Sequence, residues 1–195
     1  MVALAKIPLW LTVEEFIAWN PGDGRVWQLV DGEPQAMAPA SRTHAALMAE
    51  MSAVLRNHFA ERGSPCSVLA QPGIVPRANA ARNVRIPDLA VTCTGYDAEE
   101  YVVTDPVLVV EILSPSNKPE TWANVWAFTT IPSVREILIL HTDAIGADLL
   151  RRQPDGTWPP DPQEIGTGDL LLDSIDFRAP LPALYRTTRL AAPSG

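Results

Sequence analysis

The chain has 195 residues, enough for one domain with a sizeable core, and its 15 Lys plus Arg against 23 Asp plus Glu give a net charge of −8. A pI near 4.8 excludes a protein that holds nucleic acid by bulk charge and leaves only a local basic patch for that purpose. No stretch approaches the roughly 18 apolar residues of a membrane span, and the apolar run at 1–12 is too short for a secretory leader before Glu14 and Glu15.

From the start of the chain, Thr12 ahead of Glu14, Glu15, Phe16, Ile17 and Trp19 predicts an N-capped helix of a turn or two, stopped by Asn20-Pro21-Gly22. Two short β-rich runs follow, 26–30 and 33–37, and Asp31-Gly32 between them is the signal of a type I′ hairpin. Ser41 caps the longest predicted helix, which ends near Arg62-Gly63 and carries His44, Met48, Met51, Leu55 and Phe59 on one face. A histidine that leads an apolar stripe is more often a boundary residue than a ligand. Cys66 and Cys93 each lie in an apolar stretch with no C-x-x-C spacing, which reads as buried thiols of a cytosolic protein and argues against zinc.

Strands are expected at 67–70 and 73–77 around a Gln71-Pro72-Gly73 turn, followed by Arg77, Arg82 and Arg85. Those three arginines could meet phosphates, or form a solvated loop that balances nearby acids. The run 96–101, with Asp97, Glu99 and Glu100, reads as an acidic connection. A helix is predicted over 120–130 with Trp122, Val125, Trp126 and Thr129 on its inner face, then a strand at 134–140. Residues 147–151 are expected to pair with a strand near Trp158 across Pro154-Asp155-Gly156. Further strands at 170–172 and 175–177 finish the sheet or its rim, and 191–195 should fray.

Chemistry concentrates between Val84 and Asn117. The run 86–93 reads as a strand with Asp88 near its entry, and 107–113 is almost unbroken Val, Leu and Ile around a single acid, Glu111. A lone carboxylate in such a strand is costly unless it is protonated, paired or shared with a cation. A second acid on a neighbouring strand favours the cation. Mg²⁺ needs only one or two protein carboxylates, because it keeps waters and adds a phosphate oxygen. The plainer alternatives are a turn role for Asp88 and an arginine partner for Glu111.

The order strand, Pro87-Asp88, apolar strand, Glu111-Ile112-Leu113-Ser114-Pro115-Ser116 resembles the PD-(D/E)xK nucleases, and more closely the Uma-two family of restriction endonucleases. The matching pieces, which include Leu11 to Phe16, Trp27 to Glu33, Met37 to Pro39, His44 and Ile131 to Glu136, span about 10–142 in that family's order. The resemblance implies an α/β fold of restriction-endonuclease type, a mixed β-sheet core flanked by helices, as one domain over 1–195. It further implies Mg²⁺ or Mn²⁺ held by Asp88, Glu111 and the carbonyl of Ile112, and hydrolysis of nucleic acid, DNA in the first instance. Gln28 and His44 would then orient water or move a proton, and Lys118 is the nearer of only two lysines, the other being Lys6. With Arg77, Arg82 and Arg85 as the phosphate contacts on an acidic protein, binding is expected to be weak and salt-sensitive. A cytoplasmic protein, without membrane attachment and with room for a homodimer, completes that reading. The chain also departs from the pattern: Gln28 stands where the family commonly has Glu, Leu113 where the superfamily has Lys, and Thr121 and Val125 where the family often has Asp and Lys. These departures support an alternative, a catalytically inactive nuclease fold that acts as a binding or regulatory module.

Overall fold

A computed structural model describes residues 10–95, 97 and 100–191. Lys6, most of the acidic run at 96–99 and the chain end at 192–195 lie outside the described residues.

In chain order the elements are α1 (Val13–Ala18), β1 (Trp27–Val30), β2 (Glu33–Ala36), α2 (Arg42–Glu61), β3 (Ser67–Ala70), β4 (Gly73–Ile74), β5 (Leu89–Thr92), β6 (Val102–Val103) and β7 (Pro106–Leu113). They continue with α3 (Lys118–Phe128), β8 (Glu136–His141), β9 (Ala147–Arg151), β10 (Gln163–Ile165), β11 (Asp169–Leu172) and β12 (Phe177–Pro180). Six strands form one mixed sheet in the order β10-β9-β8-β7-β5-β3. The long apolar strand β7 is central because only a strand covered on both faces gains from unbroken Val, Leu and Ile. It runs antiparallel to β5 and parallel to β8, and α3 makes the crossover that a parallel pair requires.

The alternation of β7 splits the core in two. Leu108, Val110 and Ile112 face α2, where Leu47, Met51, Leu55 and Phe59 pack with Leu170, Leu172, Leu181, Leu184 and Tyr185 from the C-terminal region. Val109 faces the other way, with Ile137, Ile139 and Leu150, under Val125 and Phe128 of α3. The predicted caps are in place. Thr12 and Glu15 close a reciprocal capping box on α1, and Ser41 Oγ accepts from the His44 N–H at the start of α2.

Several expectations are corrected. The hairpin of β1 and β2 turns at Asp31 and Gly32, both with positive φ as a type I′ turn demands. It nevertheless forms its own two-stranded ladder outside the main sheet, touching the rest through the Leu29–Val84 bridge. The strands either side of Gln71-Pro72-Gly73 do not pair with each other: β3 joins β5, and β4 runs parallel to β6. β9 lies between β8 and β10, so its outer partner is Gln163–Ile165 and not the segment near Trp158, which instead takes the Arg152 guanidinium over its ring. β11 and β12 pair only with each other. Buried Glu136 anchors them, accepting from Arg151 Nε at 2.8 Å and from the N–H groups of Asp173 and Ser174.

Two further corrections concern single residues. Cys66 and Cys93 are not free thiols but a disulfide, because the register Ser67 with Thr92, carried one step on, sets them opposite each other across β3 and β5. The inward stripe of α3 is Thr121, Asn124, Val125 and Phe128, so of the predicted inner face only Val125 is fully buried. Trp126 is 45% exposed, while Trp122, its ring 6.0 Å away, is partly buried against the core. Among the described residues no helix is long and apolar enough to cross a membrane.

Candidate active site

Where β5 begins and β7 ends, the antiparallel register pairs Leu89 with Val110, and one step further it sets Asp88 opposite Glu111. Glu111 alternates with Val110 and Ile112 along β7 and so shares the α3 side with Val109, and Asp88 comes close enough for its charge to act on it. Asp88 and Glu111 are 4% and 6% exposed respectively. A cleft of about 470 Å³ opens over them, lined also by Gln28 from β1, His44 from α2, and Thr121 and Asn124 from α3.

Asp88 is held firmly. Its Oδ2 accepts the Ile112 N–H at 2.7 Å and lies 3.1 Å from His44 Nε2, which leaves Oδ1 as the oxygen available to a cation. An aspartate oxygen facing Nε2 assigns the proton to that nitrogen, so Nδ1 of a neutral His44 carries the lone pair. That Nδ1 is buried with no partner. So are Gln28 Oε1 and Glu111 Oε1. Buried polar atoms are normally paired, and three orphans on the walls of one cleft are the mark of a place built for something that arrives.

Glu111 has its pKa raised well above the ordinary glutamate value, first by burial and then by the negative charge of Asp88. The Asn124 amide and the Asp88 backbone N–H favour the charged form, although Oε1 itself keeps no hydrogen-bond partner. The consequence for stability has a definite sign. Between the ordinary glutamate pKa and the raised one, the folded metal-free protein holds a proton that the unfolded chain has released, so stability is full below that window and falls as pH rises through it. Denaturant unfolding across this range should show the decline in the parent and a flat profile in Glu111→Gln; equal slopes in both would disprove the assignment.

The remaining predicted residues are not gathered here. Arg85, 9% exposed, is buried in hydrogen bonds to Asn83 and Asn124, while Arg77 and Arg82 are exposed, and none of the three lines the cleft. Lys118 opens α3 but lines a neighbouring cavity with His141, Asp148 and Glu164. A picture of three arginines and a lysine around the carboxylates therefore does not hold: the strand edge carrying Arg85 turns it inward, and the helix start carries Lys118 away. Thr121 and Asn124 are additions. Their i, i+3 spacing ahead of Val125 and Phe128 was the available signal.

A six-stranded mixed sheet, antiparallel except for the β7–β8 pair, with two acids meeting beside that pair, is a fold of the restriction-endonuclease kind. The chain belongs to the Uma2 family, whose model, described as putative restriction endonuclease, matches residues 13–180. It is 27% identical over 150 residues to the uncharacterized protein slr1290 of Synechocystis, covering 76% of this chain and 77% of that one. Its fold is similar to the crystal structure of a putative nuclease belonging to DUF820 from Anabaena variabilis, with a TM-score of 0.71 at 13% identity over 90% of this chain and 97% of the other.

Proposed function

We propose that the protein is a divalent-cation-dependent endonuclease that hydrolyses phosphodiester bonds of DNA. The observation that carries this reading is the convergence of three orphaned buried atoms, Gln28 Oε1, His44 Nδ1 and Glu111 Oε1, around a carboxylate pair fixed by strand register. Among the described residues no cluster of three or more His, Cys, Asp or Glu gathers as a metal site, so the donor set is two acids supplemented by neutral oxygens. Such a hard, oxygen-only set suits Mg²⁺ or Mn²⁺, which retain waters and share phosphate oxygens.

Asp88 Oδ1 and Glu111 Oε1 would hold the cation. Ile112 sends its N–H toward Asp88, and an extended residue sends its C=O off the same edge, so that carbonyl faces the same side and can serve as a further ligand. When bound, the cation supplies Lewis-acid stabilisation of the phosphate and acidifies a water. His44, fixed through Nε2, offers Nδ1 to accept a proton from the attacking water, and Gln28 Oε1 orients that water by accepting from it. Asp88 keeps the imidazole in the required tautomer. DNA as the substrate follows from the family's description as a restriction endonuclease, and any affinity gained through phosphate contacts falls as salt rises.

Calorimetric titration with Mn²⁺, with the parent beside Asp88→Ala, tests the reading together with nicking of supercoiled plasmid. Binding and nicking in the parent, both lost in the variant, are the expected result. A folded parent that neither binds Mn²⁺ nor nicks DNA would establish the inactive nuclease fold instead.

A further inference from the structure

One chain of hydrogen-bonded side chains, buried except at Asp31, lies outside this assignment. Arg85 sits between two asparagines: its Nη1 donates to Asn124 Oδ1 at 3.1 Å and its Nη2 to Asn83 Oδ1 at 3.1 Å. Asn83 in turn donates from Nδ2 to Asp31 Oδ1 at 2.9 Å. An amide has one acceptor end and one donor end, whereas a guanidinium only donates. Each asparagine must therefore show its oxygen to Arg85 and its NH₂ group to whatever lies on its other side. For Asn83 that is the carboxylate of Asp31. For Asn124, on the inner face of α3, it is Glu111, which lines the same cleft and whose charged form the Asn124 side chain favours.

We propose that Arg85 is a positioning residue for Glu111, acting through Asn124: the guanidinium holds the Asn124 amide with Oδ1 toward the arginine and Nδ2 toward the glutamate. Without that hold the amide could turn over and set its oxygen against the carboxylate. The order carboxylate, amide, guanidinium, amide, carboxylate is symmetrical about Arg85, and its other end at Asp31 lies in the turn of the hairpin that carries Gln28. Burial pulls the Arg85 pKa below its ordinary value while Asp31 opposes that pull, so the distal end helps to keep the guanidinium charged. Among the described residues no lysine lines the cleft, and Arg85 is the cation nearest to Glu111 along this chain of hydrogen bonds.

The proposal rests on Glu111 being a cation ligand, and the test separates the two. Mn²⁺ affinity is measured by calorimetry on the parent, Arg85→Met, Arg85→Lys, Asn124→Leu and the double variant Arg85→Met/Asn124→Leu. Each of the Met and Leu substitutions is expected to weaken Mn²⁺ binding by about ten- to a hundredfold, as loss of a group that orients a ligand does. Arg85→Lys, which keeps a cationic donor, should recover part of it. The double variant should bind no more weakly than the worse single, since both act through one amide. Unchanged affinity in folded variants, or effects that multiply in the double, overturns the proposal while leaving the endonuclease reading in place; a parent that does not bind Mn²⁺ removes both. Should Arg85→Met fail to fold, Asn124→Leu and the side-chain NH₂ resonance of Asn124 in isotope-labelled parent carry the test. That resonance should move on Glu111→Gln. A resonance that stays where it is overturns the proposal.

Discussion

Glu111→Gln is expected to lower Mn²⁺-dependent nicking of supercoiled plasmid by about a thousandfold or more, equivalent to roughly 4 kcal/mol of transition-state stabilisation. Gln has the shape of Glu and keeps an acceptor oxygen, so the cleft is not emptied. What goes is the negative charge, which burial and Asp88 both oppose in the metal-free protein and which a cation would reward. The same variant should therefore be more stable than the parent at neutral pH and still inactive. Single-turnover nicking rates, read beside unfolding curves, make that comparison. Activity within tenfold of the parent would show that Glu111 is not part of the chemistry.

The largest loss of stability is expected from Phe128→Ala. The ring is fully buried beneath α3 among Val109, Ile137 and Ile139, and truncation of a buried phenylalanine costs about 3 to 5 kcal/mol through lost transfer energy and the cavity left behind. Phe128 is the last inward residue of the helix whose preceding turns present Thr121 and Asn124 to the carboxylates. Mn²⁺ affinity should therefore fall together with the urea midpoint. A destabilisation below about 1 kcal/mol would mean that contacts other than Phe128 hold α3 to the sheet.

Local patterns carried most of the elements. The caps at Thr12 and Ser41, the Asp31-Gly32 turn and the apolar run of β7 are decided within a few residues, and the structure bears out each of them. Pairing was less legible. A two-residue strand such as β4 has no periodicity to read, and its partner β6 lies at residues 102–103. The bond between Cys66 and Cys93 depends on register and has no spacing signature. The same holds for the cleft. Asp88 and Glu111 stood out because charge in an apolar strand is conspicuous, whereas the inward turn of Arg85 was hidden in a polar, arginine-rich stretch. Asn124 was hidden by two tryptophans, whose bulk suggested core, although Trp126 is exposed and Trp122 is only partly buried against it.

The carboxylates meet through the β5–β7 ladder, and the connection from Thr92 to Pro106 joins those strands at the opposite end of the sheet, beyond the register irregularity at Val91 and Thr92. The number of residues that separates Asp88 from Glu111 in the chain is thus decided far from the point where they face each other. Kinship among such chains should accordingly be sought in the opposed pair and its flanking strands, with the interval between them left free to drift in length.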